Sequence, residues 1–277
     1  MDVAMTAFAS AQTGARQAFV REIELRRERV PDFDRYPFNL PAVRDLHRLQ
    51  LHPAVTFLVG ENGSGKSTLL EAIAVALGFN AEGGSRNFGF RTRESHSELH
   101  GYLRPVRTVR RMRDGFFLRA ESLFNVATEI ERLDVDEPGD QPSPPISAGF
   151  GARALHEQSH GESFLALIDN RLRGNGLYLL DEPEAALSPI RQMTLLTMLH
   201  RLVRKKSQLI IATHSPILLS YPDAAILQLS ASGLSQVTYE DTEHFTVTRD
   251  FLNRYPAMLR VLLADDDQAS LVLEDDE

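Results

Sequence analysis

Gly60-Glu61-Asn62-Gly63-Ser64-Gly65-Lys66-Ser67 fills every fixed position of the pattern G-x-x-x-x-G-K-[ST]. Before it stands an apolar run rich in β-branched and aromatic residues, AVTFLV at 54–59. After it comes LLEAIAVALGF at 69–79, with helical periodicity. Strand, glycine turn and helix are the context this pattern needs. The glycines let successive backbone N–H groups turn inward on phosphate, and the following helix directs its positive end at the same anion. The stretch therefore predicts a nucleoside triphosphate site. Gly60, Asn62, Gly63, Ser64 and Gly65 form the cradle, Lys66 reaches the β- and γ-phosphates, Ser67 ligates Mg²⁺, and Thr68 helps hold the α-phosphate.

A second signal lies downstream. Leu177-Tyr178-Leu179-Leu180 is an apolar strand that ends in Asp181-Glu182-Pro183. Hydrolysis needs a buried strand that aims one carboxylate at Mg²⁺ and the next at a water in line with the γ-phosphate. Asp181 takes the metal role and Glu182 the general-base role.

Around these two points the chain alternates strand and helix. Strands are predicted at 18–25, 54–59, 115–120, 177–180, 208–212, 225–230 and 234–237. Helices are predicted at 121–133, 162–172 and 189–203, and through the remainder to about residue 263. Residues 79–114 are poorly periodic. Residues 134–147 (DVDEPGDQPSPPIS) carry four prolines and several acids and read as a loop or disordered insert. The expected fold is α/β. It has a mostly parallel sheet flanked by helices, an antiparallel β element near the N-terminus and a helical, arginine-rich lobe, its arginines at 81–120. The expected organisation is a flexible leader at 1–15, one domain over 16–263 and an acidic tail at 264–277.

Composition narrows the function classes. The 277 residues hold no cysteine, which removes disulfides, thiolate metal sites and cysteine nucleophiles. The longest clear apolar run, at 72–79, is 8 residues, well short of the roughly 18 a membrane-spanning helix needs. The N-terminus opens with Asp2 instead of a basic segment, so no secretory signal is expected and the cytoplasm is the expected location. Of the formal charge of −8, the last fourteen residues supply seven acids, so the body is near neutral. Lysine occurs only at 66, 205 and 206 among 30 basic residues.

Residues 54–68 and 155–216 resemble an ATPase of the ATP-binding-cassette (ABC) type, the branch shared by transporter ATPase subunits and by SMC-like and RecF-like ATPases. The family's signature, usually Leu-Ser-Gly-Gly-Gln, corresponds to Gln158-Ser159-His160-Gly161-Glu162. Its switch histidine corresponds to His214 in Ala212-Thr213-His214-Ser215-Pro216. Through GFFLRAESLFNVATEIE, SHGESF, YLLDEPEAALSP and ATHSPILLSYPDA, most of residues 18–263 is similar to small stand-alone bacterial ATPases. The resemblance implies a head-to-tail homodimer with ATP sandwiched at the interface. Ser159 and the Gly161 backbone of one subunit would contact the γ-phosphate on the other, and His214 would sense that phosphate beside Glu182. Several positions depart from the pattern. His160 and Glu162 replace a signature Gly and Gln, and Ser188 stands where an Asp is usual. No glutamine lies between Lys66 and Gln141, which leaves Glu121 nearest the place of the missing metal-associated residue.

The reading is thus an Mg²⁺-dependent ATP hydrolase that works as a dimer switch. A non-catalytic ATP-gated binding module and a transporter nucleotide-binding subunit are the alternatives. The spacing from Lys66 to Ser159 leaves no room for a long coiled-coil arm. Nine arginines against four acids at 81–120 suit a nucleic-acid backbone, and equally suit a solvated surface. Tyr36 or Phe38 could stack on a base, and His96 with His100 lacks a third metal ligand.

Overall fold

The computed structural model describes residues 17–81, 83–84, 97–119 and 160–264. The run ahead of the phosphate loop becomes β3 (Val55–Gly60), buried at every position. Such a strand must be covered on both faces, which is the property of an inner parallel strand. It lies between β7 (Gln208–Ala212) and β8 (Ala225–Ser230), parallel to both. The six-stranded sheet has the order β5 (Asp114–Arg119), β6 (Gly176–Asp181), β7, β3, β8, β9 (Gly233–Val237); only β9 runs antiparallel. The C-terminal ends of β5, β6, β7 and β3 therefore share one edge, which gathers the residues of the predicted site.

A second sheet of three antiparallel strands orders β2 (Arg48–Gln50), β1 (Val20–Leu25) and β4 (Leu103–Arg107). Helix α2 (Lys66–Ala76) packs against β3, β6 and β7 on one side and against β4 and the short 3-10 turn Glu98–Tyr102 on the other. Its buried Leu69, Leu70 and Ile73 join Phe19, Ile23, Phe38, Leu49, Leu58 and Leu103 in one core. The two sheets are also stitched by a buried amide. Gln208 accepts from the Phe19 and Val20 backbone N–H groups (2.9 and 3.0 Å) and donates to the carbonyls of Val20 and His52 (2.8 and 3.1 Å).

The other helices are α1 (Pro41–Arg44), α3 (His160–Arg171), α4 (Pro189–Arg204), α5 (Pro216–Leu219) and α6 (Glu243–Leu262). Two caps follow from sequence: Ser188 and Ser215 each precede a proline at the first helical position and accept a backbone N–H from inside the helix. Ser188, at the departure noted above, is thus the N-cap of α4. The chain divides by contact into residues up to Val237, which hold both sheets, and residues from Thr238, which hold α6. Among the described residues no helix is long and apolar enough to cross a membrane.

The strands expected at 115–120, 177–180, 208–212, 225–230 and 234–237 are β5 to β9, within two residues at each end. Among its described residues the arginine-rich stretch is not the helical lobe expected: apart from the 3-10 turn it supplies strands to both sheets, β4 to one and β5 to the other, because its apolar residues pair into existing sheets. The leader at 1–15, the helix at 121–133, the insert at 134–147 and residues 265–277 lie outside the described residues.

Candidate nucleotide site

The phosphate loop turns on backbone that only glycine adopts with ease. Gly60 has φ +152°, and a Cβ there would meet the Leu229 carbonyl oxygen at 2.4 Å. Gly63 and Gly65 also have positive φ (80° and 92°), and Gly65 caps α2. Lys66, the first helical residue, folds back over the loop, and its Nζ donates to the carbonyls of Gly60 and Glu61, both at 2.9 Å. The ammonium is buried. Burial pulls its pKa down, partly countered by the carboxylates of Glu182, Asp181 and Glu184. Ser64 Oγ is buried in the same loop without a protein partner.

One bond joins this loop to the acidic strand end: Ser67 Oγ donates to Asp181 Oδ1 at 2.9 Å. Asp181 closes β6 and is buried. Its second oxygen faces Arg119, whose Nε lies 3.6 Å from Oδ2 and whose Nη1 donates to Glu71 Oε2 of α2 at 2.6 Å. The register pairs Arg119 with Asp181 across β5 and β6, so strand alignment fixes this contact. Among the described residues no group of three His, Asp or Glu could hold a metal ion. Ser67 and Asp181 instead offer two oxygens beside a phosphate cradle. That donor set suits Mg²⁺, which takes one or two protein oxygens and completes its octahedron with phosphate and water.

Glu182 follows with φ +48°, a left-handed conformation rarely adopted by a non-glycine residue. Its N–H donates to the Ala212 carbonyl at 2.9 Å, which ties it to the end of β7. His214, just past that strand, brings Nε2 to 3.5 Å from Glu182 Oε1. The His214 backbone N–H donates to Glu184 Oε1 at 2.6 Å, and burial raises the Glu184 carboxyl above the ordinary range despite this bond. Lys66, Ser67, Asp181, Glu182 and His214 are therefore assembled at one edge of the sheet. Thr68 lies next to them, its Oγ1 3.4 Å from the exposed Tyr36 hydroxyl. Of the two aromatics considered for a base, Phe38 is fully buried, edge-on to Tyr102, which removes it; Tyr36 stays at the surface.

Gly161, in the first turn of α3, lies against the loop after Glu182. A Cβ there would meet the Ala186 carbonyl oxygen at 2.6 Å and Arg191 Nη1 at 2.8 Å, and Glu162 pairs with Arg191 at 2.9 Å. Ser159 and Glu121 lie outside the described residues. Arg119, Glu71 and Glu184 are the site neighbours that the sequence reading missed.

Two family models match the chain: an AAA domain at residues 38–132, and "AAA domain, putative AbiEii toxin, Type IV TA system" at 151–220. A "Putative ABC transporter ATP-binding protein" of Geobacter sulfurreducens is 25% identical over 65% of this chain, and the match spans 66% of that protein's length. Hemin import ATP-binding protein HmuV of Idiomarina loihiensis is 28% identical over 74% of this chain and 81% of its own. Among solved structures, cbiO1 of Clostridium perfringens, part of the ABC transporter complex cbiONQ, covers 90% of this chain and 100% of its own at 16% identity, with a TM-score of 0.49. Both AAA-domain matches fall on the segments that carry the phosphate loop and the acidic strand end, so the chain is similar to P-loop ATPases of the AAA-domain and ABC type.

Proposed function

We propose that the protein binds ATP with Mg²⁺, hydrolyses it, and couples the cycle to closing and opening of a homodimer. The observation that carries the reading is the Ser67–Asp181 bond at 2.9 Å, beside a Glu182–His214 pair at 3.5 Å. Loop backbone and Lys66 would hold the β- and γ-phosphates, with Lys66 exchanging its bonds to loop carbonyls for phosphate oxygens. Ser67 and Asp181 would hold the metal ion, which when bound neutralises charge on the phosphate oxygens. Glu182 takes a proton from the attacking water, and His214 orients that water against the γ-phosphate.

The dimer follows from the family resemblance at the signature. The N-terminus of α3 is packed on the loop after Glu182 of its own chain, with Gly161 in its first turn, and the resemblance would have Ser159 and the Gly161 backbone contact the γ-phosphate bound by a second copy. ATP bound by both halves stabilises the closed pair by linkage, and hydrolysis releases it. Two curated relatives have names denoting ATP-binding proteins of transport systems, so a transporter coupling partner is the second reading.

Steady-state ATP hydrolysis by the purified protein, with Glu182→Gln as the blank, tests the enzymatic reading. We expect turnover that needs Mg²⁺ and falls at least about 100-fold in the variant, the size of effect general-base removal produces. ATP binding with no turnover in either protein would leave the non-catalytic, ATP-gated module.

A further inference from the structure

The edge of the main sheet opposite the nucleotide site carries a different chemistry. There the N-terminal ends of β5, β6 and β7 are met by three loops, 110–113, 172–175 and 205–207, which are bonded into one frame. The Arg113 N–H donates to the Asn175 carbonyl (3.1 Å) and the Asn175 N–H to the Lys205 carbonyl (2.8 Å). Arg110 reaches Asn175 Oδ1 (2.7 Å) and the Lys206 carbonyl. The frame is anchored below by Tyr178, whose hydroxyl donates to Asp114 Oδ2 (2.7 Å) and accepts the Gly174 N–H (2.9 Å). Asp114, the acid among these residues, is turned inward and paired with Arg171 at 2.9 Å.

What remains outside is cationic. Arg111, Arg113, Arg173, Lys205 and Lys206 are exposed, and among the described residues none forms an ion pair with a carboxylate. They rim two open hollows of about 630 and 860 Å³ that share Arg113 and Asn175. The other described arginines of the 81–120 stretch are consumed elsewhere: Arg104 by Glu24, Arg107 by the Leu77 carbonyl, Arg119 by Glu71. The basic surface is thus assembled from three separate segments, and two of the chain's three lysines belong to it.

We infer that this frame is a binding surface for the phosphate backbone of duplex nucleic acid. Five unpaired cations on a braced frame match a repeating polyanion. Arginine forks pair phosphate oxygens two at a time, and both hollows are open and rimmed by cationic side chains. The surface lies roughly 17 Å from the nucleotide site, five steps of a strand at about 3.3 Å each, so nucleic acid and ATP would occupy opposite edges of one sheet.

The test is fluorescence anisotropy of a labelled 20-base-pair duplex with the full chain, without nucleotide, from 50 to 200 mM salt. A nucleotide-free assay keeps its failure separate from failure of the ATPase reading. Five phosphate contacts at a slope of about 0.9 each predict a loss of affinity on the order of several hundred-fold across that range. Arg111→Gln/Arg113→Gln/Arg173→Gln should reduce the log–log slope by nearly 3, and Lys205→Gln/Lys206→Gln by nearly 2, with ATP affinity unchanged. A control with Arg35, Arg44 and Arg48 changed to Gln, all three of which face carboxylates, should keep the wild-type slope. No binding by the wild type at 50 mM salt, an equal loss in the control, or tighter binding of a polyglutamate of matched charge would each overturn the assignment.

Discussion

Arg119 shows how one side chain links the two halves of the site. Its guanidinium spans Glu71 of the helix that follows the phosphate loop and Asp181 of the acidic strand, so it fixes the carboxylate from behind while Oδ1 faces Ser67. Arg119→Gln should raise the Mg²⁺ concentration needed for half-maximal binding of a fluorescent ATP analogue by about 10-fold, with partial recovery in Arg119→Lys. An unchanged Mg²⁺ midpoint would reduce Arg119 to a packing role. At Asp114, burial alone would raise the carboxyl, yet hydrogen bonds from Arg171 and Tyr178 and the Arg171 charge hold it below the ordinary range. A depressed carboxyl stabilises the fold above its ordinary pKa of about 3.9, and the contribution disappears as pH falls through the lower folded value. The stability gap between wild type and Asp114→Asn in urea melts should therefore be widest near neutrality and close below about pH 4.

Elements differ in how far they announce themselves. The strand–loop–helix at 55–76 was legible because its pattern is local: a run buried on both faces, glycines where φ is positive, and a helical period. β6 and β7 were legible for the same reason, as continuous apolar runs. β4 was not, because LRPVR is an edge strand with Pro105 and two arginines, and only its pairing with β1 makes it a strand. The Arg119–Asp181 contact was equally hidden, since it depends on the register of two strands more than 50 residues apart. Gln208 is a third case: nothing in QLIIA marks the first residue as the tie between the sheets. Gln208→Leu would remove the amide that bonds the buried Phe19 and Val20 N–H groups and the buried Val20 carbonyl, and with it the bond to the His52 carbonyl. It should cost about 3 kcal/mol or more and lower the melting temperature by roughly 6–12 °C, read by calorimetry.

For the molecule as a whole, the parallel sheet puts ATP chemistry at one edge and a braced cationic frame at the other, with Glu182 and His214 drawn together from the ends of adjacent strands. In the proposed switch ATP would change the assembly through the start of α3, where Gly161 has no space for a side chain against Ala186 and Arg191. Gly161→Ala should weaken ATP-dependent association without abolishing nucleotide binding, measured by sedimentation against nucleotide titration. The most direct test of the ATP-closed dimer is the mass of the Glu182→Gln protein by light scattering, with and without saturating Mg²⁺ and ATP. A monomer that doubles its mass only when both are present is the predicted result. A protein that stays monomeric with ATP fully bound would contradict the account.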